Sequence, residues 1–266
     1  MKLGFIGTGN MAGAIMGGII KKGLILPQEI IGADVSGAGR EKVNEMYGIC
    51  VTADNTEVIA RAQTVILSVK PQFYQTVISQ IKDLVREDQL IITIAPGKTL
   101  DWLRQQFGRN LKIIRTMPNT PAMVYAGAFA LCNDSDLTEE EKQMAQQLFA
   151  PLGIVEWVPE HLIDAVCGVS GSGPAYVAMF MEAMADGGVR EGLPRATAYQ
   201  LAAQTVMGTA KWYLESGTHP GVMKDMVTSP AGTTIAGCAA LEKNGLRNAV
   251  IEAVHAGTIR SKELGD

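Results

Sequence analysis

The chain has 266 residues, 47% of them hydrophobic and 19% charged, with a formal net charge of −4. This length predicts one or two domains with real cores, and apolar content this high excludes a disordered chain. The acidic balance, with no basic run longer than Lys21-Lys22, argues against a nucleic-acid surface or a polybasic membrane patch, since both need clustered cations.

Cys50, Cys132, Cys167 and Cys238 form no C-x-x-C pair and have no His at ligand spacing. They read as small buried hydrophobes, and no metal site is expected. The stretches Leu3–Ile20 and Thr116–Asn133 are uncharged and long enough to cross a bilayer, but Gly, Thr, Asn or Pro interrupts each. Lys2 precedes apolar residues as in a signal peptide, yet Gly4, Gly7 and Gly9 break the apolar run such a peptide needs. No membrane association and a cytoplasmic location are the expectations.

The first half alternates short β-rich runs with amphipathic ones. Strands are predicted at Leu3–Ile6, Ile30–Ala33, Thr64–Ser68, Leu90–Ile94 and Lys112–Thr116, and helices at Met11–Lys22, Arg40–Tyr47, Thr56–Arg61, Gln72–Leu84 and Thr99–Phe107. Such repetition implies right-handed crossovers and a doubly wound, mostly parallel α/β sheet buried on both faces. A weaker β-α-β follows over Ala128–Cys132, Thr138–Leu152 and Ile154–Val158, with Thr138 as N-cap. After Leu162 strand-like runs disappear. Helices are predicted behind Pro174, from Pro194 to Ser216, near Pro230 and over Gly245–Glu263, rich in Ala and Met. About a hundred residues of such helix make a small core, so this half is expected to dimerise. The expected division is 1–161, a dinucleotide-binding domain, and 162–266, an all-α dimerisation and substrate domain.

Strand Leu3–Ile6 runs into Gly7-Thr8-Gly9-Asn10-Met11-Ala12 and then a helix, a G-x-G-x-x-A loop in the context that gives it meaning. Gly7 permits the tight turn, Gly9 lets a pyrophosphate approach the backbone, and Ala12 keeps helix and strand close. Ile6 through Met11 are therefore candidate cofactor contacts. Asp34, at the end of the second strand, is placed to accept from the adenosine ribose, which favours NAD(H). Ser36, Gly37, Gly39 and Arg40 follow at once and suit the 2′-phosphate of NADP(H), so both cofactors stay open. Ser68-Val69-Lys70-Pro71 and Ile94-Ala95-Pro96-Gly97 close the next two strands, at the carboxyl ends where ligands bind in open parallel sheets. Met117-Pro118-Asn119-Thr120-Pro121 leaves Asn119 and Thr120 as polar loop tips, and Asn119 is a further candidate cofactor contact.

Two further loops lie in the helical half. Ser170-Gly171-Ser172-Gly173-Pro174 reads as a capped helix start. Thr228-Ser229-Pro230-Ala231-Gly232-Thr233-Thr234 gathers hydroxyls and free backbone N–H groups at a helix N-terminus, a receptor for a carboxylate. The three histidines, His161, His219 and His255, show no triad or metal spacing, which suits hydride transfer, where the cofactor carries the hard chemistry.

Together these residues resemble the Δ1-pyrroline-5-carboxylate reductase family along essentially the whole chain. The matching elements are Phe5–Ala12, Val69–Pro71, Met117–Pro121, Val169–Tyr176, Glu182–Val189, His219–Gly221, Lys224–Val227 and Ser229–Thr234. The resemblance implies a Rossmann-like domain followed by a helical dimerisation domain, with dimers that often assemble into rings. It implies an active site where one subunit's nicotinamide meets helices that include the partner's. It also implies NAD(P)H-dependent reduction of 1-pyrroline-5-carboxylate to L-proline, the last step of proline biosynthesis. By carry-over, Ser229, Gly232, Thr233 and Thr234 hold the substrate carboxylate and ring, with the Thr234 hydroxyl facing the ring nitrogen. Asn55, Ser68–Pro71 and Ala95–Gly97 match cofactor contacts, and Glu160 a substrate-side position. Two departures stand out: Ala231 replaces the usual Gly, and Pro96 removes a backbone donor. A β-hydroxyacid dehydrogenase shares the two-domain plan, but its catalytic Lys would fall at Val177, four residues after Gly173. A nucleotide sensor without turnover has no use for the hydroxyl-rich turn.

Overall fold

The computed structural model describes residues 1–133 and 137–265. Met1–Ser172 and Ala256–Asp266 form one compact unit, and Gly173–His255 a second. In the first, the elements run β1 (Leu3–Ile6), α1 (Asn10–Lys21), β2 (Ile30–Ala33), α2 (Gly37–Tyr47), β3 (Cys50–Thr52), α3 (Asn55–Arg61), β4 (Thr64–Leu67), α4 (Tyr74–Ile81), β5 (Leu90–Thr93) and α5 (Leu100–Phe107). They continue with β6 (Lys112–Met117), β7 (Gly127–Cys132), α6 (Glu139–Phe149), β8 (Gly153–Trp157) and α7 (Ile163–Val166).

Among the described residues the strands make one eight-stranded sheet in the order β3-β2-β1-β4-β5-β6-β7-β8. Its strands are parallel except where β7 runs against β6. Every residue of β1, β2, β4 and β5 is buried. That is why they read as continuous apolar runs rather than alternating ones: helices cover both faces. One face packs Val58, Ile78, Leu103 and Phe107, and the other Ile15, Ile19, Leu148 and Phe149, with Phe129 stacked on Phe149 at 5.1 Å between ring centres. Each such side chain removed from water contributes about 1.5–3 kcal/mol. Helix starts follow local chemistry. Thr138 and Glu141 form a reciprocal capping box on α6, and Ser36, Asp54 and Thr99 cap α2, α3 and α5.

The second unit holds α8 (Gly173–Arg190), α9 (Arg195–Ser216), α10 (Pro220–Met226) and α11 (Thr233–Lys243), and α12 (Leu246–Glu263) leads out of it. Its buried apolar residues are Ala185, Ala198, Ala202 and Met223, whereas Met179, Leu201, Leu214, Met226 and Ile251 are all more than half exposed. Helices with such apolar faces have no core of their own large enough to hold them.

Four local features differ from the sequence expectation. Strand β3 spans three residues, too short for a periodic signal. Helix α10 has Pro220 at its first turn and His219 Nδ1 accepting from Gly221 N at 3.1 Å. The helix expected near Pro230 begins at Thr233. Ser170–Gly173 is not a capped start either. Cys167–Gly171 is already a π-helical turn, closed by Ser172 N donating to Cys167 O at 2.8 Å.

Candidate functional site

The sheet order reverses at β1, whose neighbours are β2 and β4. A crevice outside the carboxyl ends of strands forms where the crossovers diverge in this way. Gly7 makes the turn out of β1 with φ +94, and a Cβ there would stand 2.8 Å from Val69 N and 2.9 Å from Ser68 O, so no side chain fits. Ser68 locks the same junction by donating its hydroxyl to Gly7 O at 2.6 Å. Gly9, by contrast, faces open space and stands at the α1 N-cap with no side chain capping that helix. The first-turn N–H groups of α1 are thus unclaimed by any side chain, as an anion receptor requires.

A cavity of about 420 Å³ opens beside this loop, lined among others by Thr8, Gly9, Asn10, Asp34, Ser36 and Lys42. Asp34 is half-buried, and its carboxylate is already engaged. Oδ2 accepts from both the N–H and the hydroxyl of Thr8 at 2.9 Å, and Oδ1 accepts from Ser36 N at 2.9 Å. Burial alone would raise its pKa, but the donors on Ser36 and Thr8, helped by Arg40, outweigh it and hold the carboxyl below the usual range. Arg40 itself donates to Asp34 O at 2.6 Å. The chain therefore presents a firmly ionised aspartate where a Rossmann fold reads ribose.

The other predicted cofactor residues fall into three groups. Ile6 is fully buried, so its side chain belongs to the core and its backbone alone reaches the loop. Ala95 and Gly97 follow β5 and are buried, while Pro96 between them is exposed. Val69 is half-buried and Lys70 exposed, just before the turn Pro71–Phe73. The β4 and β5 ends are tied together by Tyr74, whose hydroxyl donates to Leu67 O at 2.6 Å and meets Thr93 Oγ1 at 2.8 Å; burial pushes that hydroxyl's pKa far up. Asn55 and Asn119 both bond to the fold, Asn55 through one donor and Asn119 through both ends of its amide. Asn55 donates to Gln80 at 2.8 Å. Asn119 bridges Ser170 O and Ala128 N at 3.1 and 2.9 Å, which leaves Thr120 as the exposed tip of that loop. Lys42 and Met123 line the cavity without having been anticipated. Lys42 shares one face of α2 with Gly39, Val43 and Met46, three to four residues apart, whereas Met123 comes from a distant turn.

Glu160 lies in the first unit. Its Oε1 accepts from Leu100 N at 2.7 Å and from Arg115 at 3.0 Å, and the Arg115 side chain is 3% exposed. The carboxylate thus neutralises a buried guanidinium and caps the start of α5.

In the second unit, Ser229–Gly232 is a turn closed by Gly232 N donating to Ser229 O at 3.0 Å. Pro230 stands at its second position and Ala231 at its third with φ +57, the arrangement of a type II turn, which favours Gly there. A Cβ on Gly232 would meet Ser229 Oγ at 2.3 Å, so the hydroxyl lies against the Gly232 backbone. Gly232 is the α11 N-cap and no side chain caps the helix. Ser229, Thr233 and Thr234 are exposed. Hydroxyls and open N–H groups are therefore gathered in one short segment, as a carboxylate receptor needs. Among the described residues no three His, Cys, Asp or Glu side chains are placed to hold a metal ion, and no helix is long and apolar enough to cross a membrane.

Comparison with known proteins matches two stretches of the chain to families. Residues 160–264 match the family model for pyrroline-5-carboxylate reductase dimerisation, and residues 2–97 that for coenzyme F420-dependent NADP oxidoreductase. A pyrroline-5-carboxylate reductase of Methanosarcina acetivorans is 44% identical over 99% of this chain and 98% of its own length. A solved pyrroline-5-carboxylate reductase from Coxiella burnetii superposes with a TM-score of 0.95 at 36% identity, over 100% of this chain and 98% of that one. The Plasmodium falciparum pyrroline carboxylate reductase, solved with NADP bound, gives 0.89 at 30% identity, over 100% and 98%.

Proposed function

The chain belongs to the pyrroline-5-carboxylate reductase family, and from that premise we propose which of its residues serve the NAD(P)H-dependent reduction of 1-pyrroline-5-carboxylate to proline. Bound NAD(P)H supplies the hydride, which goes to the carbon of the substrate's C=N bond.

The backbone of Ile6 through Met11, with the open N-terminus of α1, receives the pyrophosphate. Asp34 faces the adenosine ribose. Ser68–Pro71, Ala95 and Gly97, at the ends of β4 and β5, hold the nicotinamide half. Asn55 joins the cofactor contacts while spending one donor on Gln80, and Asn119 braces that surface, since both ends of its amide are engaged by the fold. On the substrate side, Ser229, Gly232 and Thr233 hold the carboxylate. Thr234 directs its hydroxyl to the ring nitrogen, as donor or proton relay while charge on the nitrogen changes. A protonated imine is already electrophilic, so alignment and carboxylate anchoring are the main tasks left to the protein. Glu160 acts on substrate binding through the Arg115 pair and the start of α5.

The observation that carries this assignment is the Ser229–Gly232 turn opening onto the uncapped N-terminus of α11. The chain self-associates through its dimerisation domain, in keeping with the exposed apolar helix faces of the second unit. We place the functional boundary at 161/162, next to the start of the dimerisation match at residue 160, although the compact units divide at Ser172/Gly173. Assembly of dimers into a ring and a cytoplasmic location complete the proposal. The decisive test is oxidation of NADH and of NADPH, measured separately with racemic 1-pyrroline-5-carboxylate. Turnover with either is the expected result. Cofactor binding without turnover would overturn the substrate assignment.

A further inference from the structure

We propose that the Ser261–Gly265 segment is a positioning element for the Ala95–Gly97 loop, holding it in the shape that receives the nicotinamide half of the cofactor. The proposal rests on the reading of that loop given above.

The contact is backbone against backbone. Gly97 has φ +74, and a Cβ on it would lie 2.8 Å from Leu264 O and 3.1 Å from Gly265 N. A Cβ on Gly265 would in turn lie 2.9 Å from Gly97 O. Two glycines thus sit back to back, and a side chain on either would part the loop from the segment. The segment is itself held in place. Leu264 N donates to Arg260 O at 3.2 Å and Gly265 N to Lys262 O at 2.9 Å, closing the end of α12. Ser261, which is buried, donates its hydroxyl to Asp164 Oδ1 at 2.7 Å.

The loop is pinned at both ends by other means. Ala95 N reaches Thr93 Oγ1 at 3.4 Å, and that hydroxyl meets Tyr74. At the far end Thr99 caps α5 through Trp102 N at 3.1 Å, and Leu100 N donates to Glu160 at 2.7 Å. Its middle, at Gly97, rests on Leu264 and Gly265. Without that support the loop gains conformational freedom that cofactor binding must then remove, which lowers affinity without touching the chemical step. A cavity of about 550 Å³ beside this contact, lined among others by Thr99, Trp102, Arg115 and Lys262, gives the loop room to relax when the segment is displaced.

The test compares the full chain with Gly265→Val, with Ser261→Ala and with a chain ending at Glu263. Calorimetry gives Kd for NADH in the absence of substrate, and hydrogen exchange reads the amides of Ile94, Ala95, Gly97 and Lys98 in the cofactor-free enzyme. Expected are a Kd about tenfold weaker, faster exchange at 94–98, and near-normal kcat at saturating NADH with an unchanged KM for 1-pyrroline-5-carboxylate. Asp164→Asn, which keeps an acceptor for Ser261, should bind NADH as the full chain does. An unchanged Kd in the shortened chain overturns the proposal. So does a parallel loss of affinity for both ligands with a lowered Tm, which would mean general damage. If NADH does not slow exchange at 94–98 in the unaltered chain, the cofactor reading of the loop is what fails.

Discussion

Thr8 gives both of its donors, the backbone N–H and the side-chain hydroxyl, to the same oxygen of Asp34, at 2.9 Å each. The second residue of the glycine loop and the first polar residue after β2 are thereby clamped together across 26 positions of chain. The clamp stiffens the glycine loop between β1 and α1. It also fixes a negative charge beside the cavity proposed above for the adenosine half.

A fixed carboxylate at that point repels a 2′-phosphate. Asp34→Ser is therefore expected to raise the ratio of kcat/KM for NADPH over NADH by about tenfold or more, from the loss of one close charge repulsion. Steady-state kinetics with each cofactor measure it. An unchanged ratio would mean that the Arg40 loop, rather than Asp34, sets cofactor choice.

The same carboxylate links stability to pH. Its folded-state pKa is depressed, so its contribution is present above the unfolded aspartate value, about 3.9, and is lost as pH falls through the lower folded value. The Tm gap between the unaltered chain and Asp34→Asn should be constant from pH 7 to about pH 5 and close below that. A gap that stays open at the acid end would remove Asp34 from the acid-sensitive groups.

Ala231 occupies a left-handed position, φ +57, in the turn before α11. An L-residue there costs roughly 1–2 kcal/mol, partly offset because Gly loses more chain entropy on folding. Ala231→Gly should raise Tm by roughly 1–3 °C and lower the KM for 1-pyrroline-5-carboxylate, since a methyl leaves the carboxylate receptor. A higher KM would show that the methyl packs against substrate instead.

Thr234→Ala should lower kcat far more than it raises KM, as removal of a group acting on the ring nitrogen in the transition state does. A rise in KM with kcat intact would make Thr234 a binding group only.

Glu160→Ala leaves the buried Arg115 guanidinium without its carboxylate. The expected loss is about 2 kcal/mol, less than for a fully enclosed pair because Glu160 is partly exposed. Urea unfolding measures it, and Glu160→Gln, which still accepts from Leu100 N, should lose less. Full stability in Glu160→Ala with a raised substrate KM would return Glu160 to direct substrate contact.

Features encoded by neighbouring residues were legible before any fold was known. The apolar runs of β1, β2, β4 and β5, the turn from β1 through Gly7 into α1, and the hydroxyl-rich Ser229–Thr234 segment are all local signals: strand continuity, a glycine that must take positive φ, side chains crowded at a helix start. The surplus of apolar helix surface after Leu162 likewise pointed to self-association. Tertiary structure decided the partners of polar groups. Asp34 closes on Thr8, Glu160 on Leu100 and Arg115, and Ser261 on Asp164, over separations of 26 to 97 positions. A carboxylate or amide offers the same oxygens whether it meets a ligand or the protein's own donors. Periodicity and spacing cannot say which donor arrives, so Asn119 read as a polar loop tip until folding brought Ser170 and Ala128 to its two ends. The contact between Gly97 and Gly265 left even less trace, because two backbones meeting without side chains write nothing into the pattern except two glycines.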